Sequence, residues 1–177
     1  MKHIIITIAA VLLVGCGESQ QSAPTPEAIP IAWDAGAKAP DISIHQAVKD
    51  GNIKAVKQRL ADGTNVDAKD IDLTPLHFTA VHGRKEIAAL LIAEGADVNT
   101  KDRWGKTPLH YAASKGQKEV ATLLIAEGAD VNAKTTIQNG YGATPIEWAI
   151  EEGHTETVDL LRKHGGKTSE ELKAEGK

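Results

Sequence analysis

Histidines and aspartates are the residues of this 177-residue chain whose number and spacing could supply acid–base or metal chemistry. Of the seven histidines, His77 and His110 stand 33 positions apart in the same tetrapeptide, Thr-Pro-Leu-His. His82, His154 and His164 lack both the i, i+4 pairing and the cysteine partners that zinc sites use. The spacing therefore predicts structural and helix-end roles for these histidines, and no metal site.

Three aspartates, Asp67, Asp97 and Asp130, recur at nearly constant spacing. Each lies in a segment of the type Gly-Ala-Asp-Val-Asn, and recurrence in one local pattern indicates turn chemistry rather than a catalytic pair of acids. The sequence contains no G-x-S-x-G, P-loop or dinucleotide-binding fingerprint. We therefore expect no enzyme activity, no cofactor and no small-molecule substrate.

Cys16 is the single cysteine, so an intramolecular disulfide is excluded. It follows Lys2 and an apolar run, residues 4–14, that is too short to cross the roughly 30 Å hydrocarbon core of a membrane as a helix. A positive start followed by a short apolar run and small residues is typical of a secretory signal peptide. The alternatives are an ordinary cleaved signal, or a buried helix with an incidental cysteine.

The segment Leu13-Val14-Gly15-Cys16 resembles the lipobox of bacterial lipoproteins. The resemblance implies that residues 1–15 are a signal peptide and that Cys16 becomes a lipidated N-terminus, carrying a diacylglycerol and commonly a further acyl chain such as palmitate. Two such chains are enough for stable membrane anchoring. Gly17 is not the aspartate of the inner-membrane retention signal of Gram-negative bacteria. We therefore expect a lipid-anchored protein of the bacterial envelope, on the outer membrane facing the periplasm where the host has two membranes.

The composition of residues 16–40 differs from that of the rest of the chain and indicates a spacer before a folded domain. Residues 16–40 contain four prolines and many small or polar residues, which predicts a flexible tether, with Trp33 as a ring that could pack on the start of the folded part. The whole chain is 41% apolar but only 3% aromatic, which favours small, closely packed helices. Its net charge of -4, without a cluster of basic residues, argues against nucleic acid as a partner.

Two sequence markers recur in fixed phase from residue 41 onward. The first is Thr-Pro-Leu-His or a variant of it, and the second is Gly-Ala-Asp-Val-Asn. The first marker begins at Thr74, Thr107 and Thr144, and the second at Gly63, Gly95 and Gly128. Threonine can cap a helix, proline suits its first turn, and the apolar residues of each following segment line one helical face.

This pattern resembles the ankyrin repeat, a β-turn finger with two antiparallel helices that stack into an all-α solenoid. The resemblance covers residues 41–167 and implies four repeats, at about 41–70, 71–102, 103–134 and 135–167. The outer two depart most from the pattern, as end repeats do. Residues 168–177 are expected to be a polar C-terminal tail that starts with a short closing helix.

The resemblance also implies a binding face, made of the finger tips and the exposed end of each first helix. Trp104 is the preferred contact, because tryptophan is enriched in binding hot spots; the alternative is a ring that merely lies along the adjacent turn. Asp72 replaces the finger glycine in a shortened turn, and residues 137–140 form an insertion. The other predicted contacts are Ile71, Leu73, Val81, His82, Arg103, Lys106, Ser114, Lys115, Tyr141, Glu151 and Glu152.

These features predict a monomeric, membrane-anchored adaptor or scaffold that binds a protein partner through the ankyrin face. The alternative function is an inhibitor or immunity protein that covers an envelope-targeted toxin or enzyme. A third alternative is a modulator of a small-molecule process, such as protection against oxidants. It would act indirectly, because a lipid-linked Cys16 and one methionine leave no redox group to act directly.

Overall fold

The computed structural model describes residues 42–136 and 142–176. This part of the chain is helical, and its one β-type pairing is an isolated bridge between Asp70 and Leu73. The fold is therefore the all-α repeat solenoid that the sequence predicts. The helices are α1 (Ile44–Lys49), α2 (Ile53–Ala61), α3 (Pro75–His82), α4 (Lys85–Ala93), α5 (Pro108–Ser114), α6 (Lys118–Ala126), α7 (Pro145–Glu151), α8 (Thr155–Lys163) and α9 (Ser169–Ala174).

The predicted starts of the first helices are confirmed. Thr74, Thr107 and Thr144 are the N-cap residues of α3, α5 and α7, and each forms a capping box with the residue three positions later. A proline follows each threonine, where the missing backbone donor costs nothing. The fingers therefore end, and the helices begin, at the positions that the repeated tetrapeptide marks.

The helices stack in two rows. The first helices of the repeats, α1, α3, α5 and α7, contact one another in series, and the second helices, α2, α4, α6 and α8, form the other row. Leu76, Leu109 and Ile146 are fully buried between the rows, while the small side chains of Ala80 and Ala113 allow close approach of neighbouring first helices. Each repeat thus buries its apolar face against the next one.

Histidines connect each first helix to the following finger. The Nε2 atoms of His45, His77 and His110 lie 2.8, 3.2 and 3.1 Å from the carbonyl oxygens of Ala68, Lys106 and Ala143. A carbonyl can only accept, so Nε2 carries the proton in each ring.

The other ring nitrogen is an acceptor. In α5, the backbone N–H of Thr107 donates to His110 Nδ1 at 3.1 Å, and the threonine hydroxyl lies 2.9 Å from the same atom. His77 and Thr74 repeat this arrangement in α3. The predicted structural role of His77 and His110 is confirmed, with each ring held neutral by its two sets of partners.

The last repeat replaces this histidine with Glu147. Its Oε2 accepts from the backbone N–H of Thr144 at 2.7 Å, and its Oε1 accepts from the hydroxyl and backbone N–H of Ser169 at 2.6 and 3.1 Å. Burial alone would raise the pKa of Glu147, but these hydrogen bonds outweigh it and lower the pKa. The carboxylate thereby joins α7 to α9, whose Leu172 is buried.

A second inter-repeat ladder runs through the Gly-Ala-Asp-Val-Asn turns. Asp97 and Asp130 accept the backbone N–H two residues later, as the recurrence of these aspartates predicted. Asn99 bonds through both amide groups to the next turn, accepting from the Asp130 N–H at 2.8 Å and donating to the Gly128 carbonyl at 3.1 Å. Asn132 makes the same pair of bonds one repeat later.

The described part of the chain holds no helix with the length and apolar character needed to cross a membrane. The predictions for Cys16, Trp33, Tyr141 and the insertion at 137–140 fall outside the described residues.

We predict that stability declines in mild acid. Burial lowers the pKa of His110 from 6.5 to about 4, although the Ala143 carbonyl acts in the opposite direction. The unfolded chain therefore takes up this proton first, so the stabilisation is complete above the unfolded pKa and is lost as the pH falls from 6.5 towards 4. We expect a loss of up to about 3 kcal/mol in the free energy of unfolding, measured by urea denaturation.

The matched variants for this experiment are His110→Gln and His164→Gln. Glutamine can still accept the N-cap N–H but does not titrate, whereas His164 is an exposed residue at the end of α8. His110→Gln should reduce the pH dependence, and part of it should remain because burial also lowers the pKa of His77. An equal effect of His164→Gln, the control, would contradict the assignment.

Candidate protein-binding surface

The finger before α3 is a tight two-residue loop. Asp70 and Leu73 exchange backbone hydrogen bonds of 3.0 and 3.1 Å, which leaves Ile71 and Asp72 at the tip. Ile71 has a φ of 58° and is 82% exposed. A positive φ is a strained conformation for a β-branched residue, because its Cβ crowds the following carbonyl. This finger therefore presents a large apolar side chain to solvent from a strained backbone.

The finger before α5 is one residue longer and is organised by a buried carboxylate. Asp102 Oδ1 accepts from the backbone N–H groups of Trp104 and Lys106 at 2.8 and 2.9 Å, and its Oδ2 accepts from the Tyr111 hydroxyl at 2.7 Å. Gly105 supplies the positive φ, 75°, that closes this three-residue loop. The loop conformation is thus fixed by one aspartate and one glycine.

Comparison of the two fingers revises the prediction for Asp72. The sequence alignment placed Asp72 at the position of the finger glycine, but the left-handed residue of the shorter loop is Ile71. A two-residue hairpin loop needs a positive φ at its first position, whereas a three-residue loop needs it at the last. The shorter loop therefore places the positive φ on an isoleucine, which is strained there, rather than on a glycine, which is not.

Trp104 lies at the tip of the longer finger and is 48% exposed. The Arg103 guanidinium lies 4.6 Å from the centre of the indole ring, and its Nε is 2.6 Å from Asp72 Oδ2 on the neighbouring finger. One face of the ring is thus occupied by Arg103, while about half of the side chain still contacts solvent. The two finger tips, bridged by an ion pair, present Ile71 and Trp104 together.

A row of half-buried aromatic rings runs along the first helices below these fingers. Phe78, Tyr111 and Trp148 occupy the same position in α3, α5 and α7, directly after the histidine or Glu147 of each repeat. The Lys106 Nζ lies 3.9 Å from the centre of the Trp148 ring and 5.7 Å from that of Tyr111. Lys106 was identified from the sequence, but this row of rings was not. Alignment of the repeats could have revealed it, because an aromatic residue follows the tetrapeptide in three successive repeats.

The other predicted contacts lie at the C-terminal ends of the first helices. Val81 and Ser114 are half-buried, whereas His82, Lys115, Glu151 and Glu152 are exposed, and Leu73 is half-buried at the base of its finger. The His82 ring stacks on Phe78 with centres 6.5 Å apart. Although the residue is exposed, partial desolvation of its ring, followed by the charges of Arg84 and Lys49, lowers the pKa of His82.

The titratable Tyr111 hydroxyl of this face donates a hydrogen bond to the Asp102 carboxylate. Burial raises the pKa of the Tyr111 hydroxyl, and the bond to the Asp102 carboxylate adds to this shift. Within residues 42–136 and 142–176, no group of three histidine, cysteine or acidic side chains is placed to hold a metal ion. The arrangement presents rings and cations to solvent, which is suited to binding rather than to proton transfer.

Comparison with known proteins agrees with this architecture. The family description "Ankyrin repeats (3 copies)" matches residues 44–135, and "Ankyrin repeat" matches residues 141–170. The chain is 40% identical to the Oryza sativa subsp. japonica potassium channel KOR2 over 63 residues, which is 35% of this chain and 9% of the channel.

Two further relatives show the same limited overlap. The chain is 39% identical to the Arabidopsis thaliana serine/threonine-protein kinase 12 over 59 residues, covering 33% of this chain and 13% of the kinase. It is also 39% identical to a Caenorhabditis elegans homolog of transient receptor potential cation channel subfamily A member 1, over 36% of this chain and 6% of that protein. The chain thus matches only a small part of each of these proteins.

We predict that Ile71→Gly stabilises the protein. Glycine removes the Cβ that makes a positive φ costly, so the free energy of unfolding should rise by about 1 kcal/mol in urea denaturation. Ile71→Ala keeps the Cβ and the strain, and should change it by less than about 0.5 kcal/mol. Destabilisation by Ile71→Gly, or equal stabilisation by both variants, would show that the isoleucine is not strained.

Proposed function

Because this chain belongs to the ankyrin-repeat family, we propose that it is a membrane-anchored adaptor that recruits a protein partner through its fingers and first helices. The repeats of this family generally serve as non-catalytic interaction modules, so protein binding itself follows from the family. The proposal adds two points: that the protein is anchored to a membrane, and that it binds its partner in the bacterial envelope.

The observation that carries the proposal is the exposure of large apolar side chains at adjacent finger tips. Three large apolar residues are exposed in the described part of the chain, and two of them are Ile71 and Trp104. Exposed apolar groups that the fold does not need are a common mark of an interface, and tryptophan is enriched among residues that dominate binding. The strained backbone under Ile71 adds support, because strain is more common at functional sites.

The anchoring proposal rests on the likeness of residues 13–16 to a lipobox and on the composition of the segment that comes after it. A diacylated Cys16 would hold the protein at a membrane surface, and a tether of residues 16–40 would extend on average roughly 25 to 30 Å if it behaves as a flexible coil. The repeats could then reach partners close to the membrane. Gly17 favours the outer membrane, facing the periplasm, as the destination.

We predict that Cys16→Ala releases the protein from the membrane. Without the thiol no lipid can be attached, so the variant should lose label from an alkyne analogue of palmitate and leave the fraction that sediments with membranes. Gly17→Asp is the matched test of destination, because it should keep the label but move the protein to the inner-membrane fraction. Labelled, membrane-bound Cys16→Ala protein would disprove the anchor.

We predict that Trp104→Ala abolishes capture of the partner. The protein is crosslinked in its own cells and recovered from solubilised membranes, and the captured proteins are compared with those of the wild type. Loss of an anchor ring commonly costs about 2 kcal/mol or more, about thirtyfold in affinity. Glu119→Ala, an exposed change on α6 in the other row of helices, is the control and should capture normally.

The outcomes separate the candidate roles. A captured protein that is active in the complex supports an adaptor, whereas a toxin or enzyme that loses activity in the complex identifies an inhibitor. Capture that is unchanged by Trp104→Ala would place the site away from this finger, and an absence of capture by wild type would exclude stable protein binding.

A further inference from the structure

Lys106 has an unusual environment for a surface cation. Its Nζ lies 3.9, 5.7 and 6.0 Å from the ring centres of Trp148, Tyr111 and Trp104. Among the described residues, no carboxylate lies within ion-pair distance of this ammonium. Aromatic faces attract a cation but do not neutralise it, so Lys106 keeps its capacity to bind an anion.

The finger that carries Lys106 is locally basic in a chain whose net charge is -4. Residues 100–107 contain Lys101, Arg103 and Lys106 but a single acid, Asp102. Asp102 is buried, and its two oxygens already accept three hydrogen bonds. The Asp102 carboxylate is therefore inside the finger, whereas Lys101 and Arg103 are exposed on its surface and Lys106 is half-buried.

Two further groups beside this finger add to the pattern. The Trp148 indole Nε1 is buried and has no hydrogen-bond partner among the described residues. A buried N–H without an acceptor is unfavourable, and an oxygen atom from outside would satisfy it if Lys106 and its neighbours shift on binding. Lys49 lies 4.6 Å from the centre of the Phe78 ring, which places a second lysine over the aromatic row.

We propose that this surface binds an acidic segment of the partner protein, with one carboxylate on the Lys106 ammonium and an apolar side chain against Trp104 and Ile71. The proposal rests on the proposed function, since it specifies the chemistry of the partner that the same face binds. The charges of Lys101, Lys106 and Lys49 attract such a segment, and the Trp148 N–H offers a second donor to its oxygens. The exposed rings and Ile71 supply the apolar contact.

The same charges disfavour a basic segment. A lysine or arginine from the partner would have to displace Lys106 from the three rings and approach Lys101 and Arg103, which repel it. Arg103 is also already paired with Asp72, so that carboxylate is not free to attract a partner cation. The acidic residues Glu151 and Glu152 lie at the C-terminal end of α7, whereas the finger that carries Lys106 precedes the N-terminal end of α5.

The test is selection from a displayed library of random twelve-residue peptides against the full-length chain in detergent. The wild type should enrich peptides that are rich in Asp and Glu and contain an apolar residue. A recovered acidic peptide, made synthetically, should quench or shift tryptophan fluorescence on binding. Its affinity should fall at least about tenfold between roughly 50 and 300 mM salt, because the contact is electrostatic.

Lys106→Met is the principal variant, because it removes the charge but keeps an unbranched side chain over the rings. It should weaken binding of the acidic peptide by about tenfold or more, which is the usual effect of losing a charged hydrogen bond. Lys57→Met removes an exposed lysine from α2, in the other row of helices, and should change binding less than about twofold. Lys106→Glu reverses the charge and should shift the selection towards basic peptides. This change in preference tests the role of charge even if Lys106→Met also weakens the packing on the rings.

Enrichment of neutral or basic peptides by the wild type would overturn the proposal, as would recovery of no peptide. Equal binding of the acidic peptide to wild type and to folded Lys106→Met would also overturn it. In each of these cases, capture of a partner that depends on Trp104 would still support the proposed function, so the two failures can be distinguished. Urea denaturation of each variant shows whether it is folded.

Discussion

The backbone carbonyls next to each finger impose the constraint on which the rest of the structure depends. Within the finger, the Lys106 carbonyl accepts the Asp102 N–H at 3.0 Å, but a carbonyl has two lone pairs, and a buried acceptor site left without a partner is unfavourable. The chain solves this by placing a neutral imidazole in the preceding repeat, as with His77 and the Lys106 carbonyl. The same ring accepts the N-cap N–H of its own helix. One side chain therefore fixes the start of a helix and the position of the next finger together, which explains why the threonine and the histidine occur as a unit.

This constraint also explains how the stack ends. In the last described repeat the corresponding carbonyl, that of Lys167, accepts from the Thr144 hydroxyl at 2.8 Å. Glu147 instead accepts from both sides: one oxygen caps α7, and the other receives the two donors of Ser169 at the start of α9. Glu171 accepts from the Arg162 guanidinium and from the Thr168 N–H, which lower its pKa to about 2. Its bond to the Thr168 N–H is part of the N-terminal cap of α9. A change from imidazole to carboxylate thus converts a repeat-to-repeat contact into a cap.

The sequence predicted the fold well because its signals are local and repeated. A threonine, a proline and a histidine at fixed spacing define a helix start wherever they occur, and a period of 33 residues leaves few architectures open. The candidate surface was predicted less completely. Trp104 and Lys106 could be identified as finger residues, but the positive φ of Ile71 depends on a loop closing with one residue fewer. The contact of Lys106 with Trp148 depends on how neighbouring repeats stack, and it joins residues that are distant along the chain.

Two unfavourable features lie beside the fingers, while a third, the buried Arg84 Nε without a hydrogen-bond partner among the described residues, lies at the start of α4. The ladders of histidine and asparagine bond to backbone groups of successive repeats. By contrast, the buried indole N–H of Trp148 has no partner among the described residues, and Ile71 is held in a strained conformation. Each of these costs on the order of 1 to 3 kcal/mol, a substantial part of the stability of a small domain. A glycine at 71 would remove one cost without altering any packing contact, because the isoleucine is exposed. Retention of an exposed, strained isoleucine beside an exposed tryptophan is therefore better explained by contact with a partner than by stability.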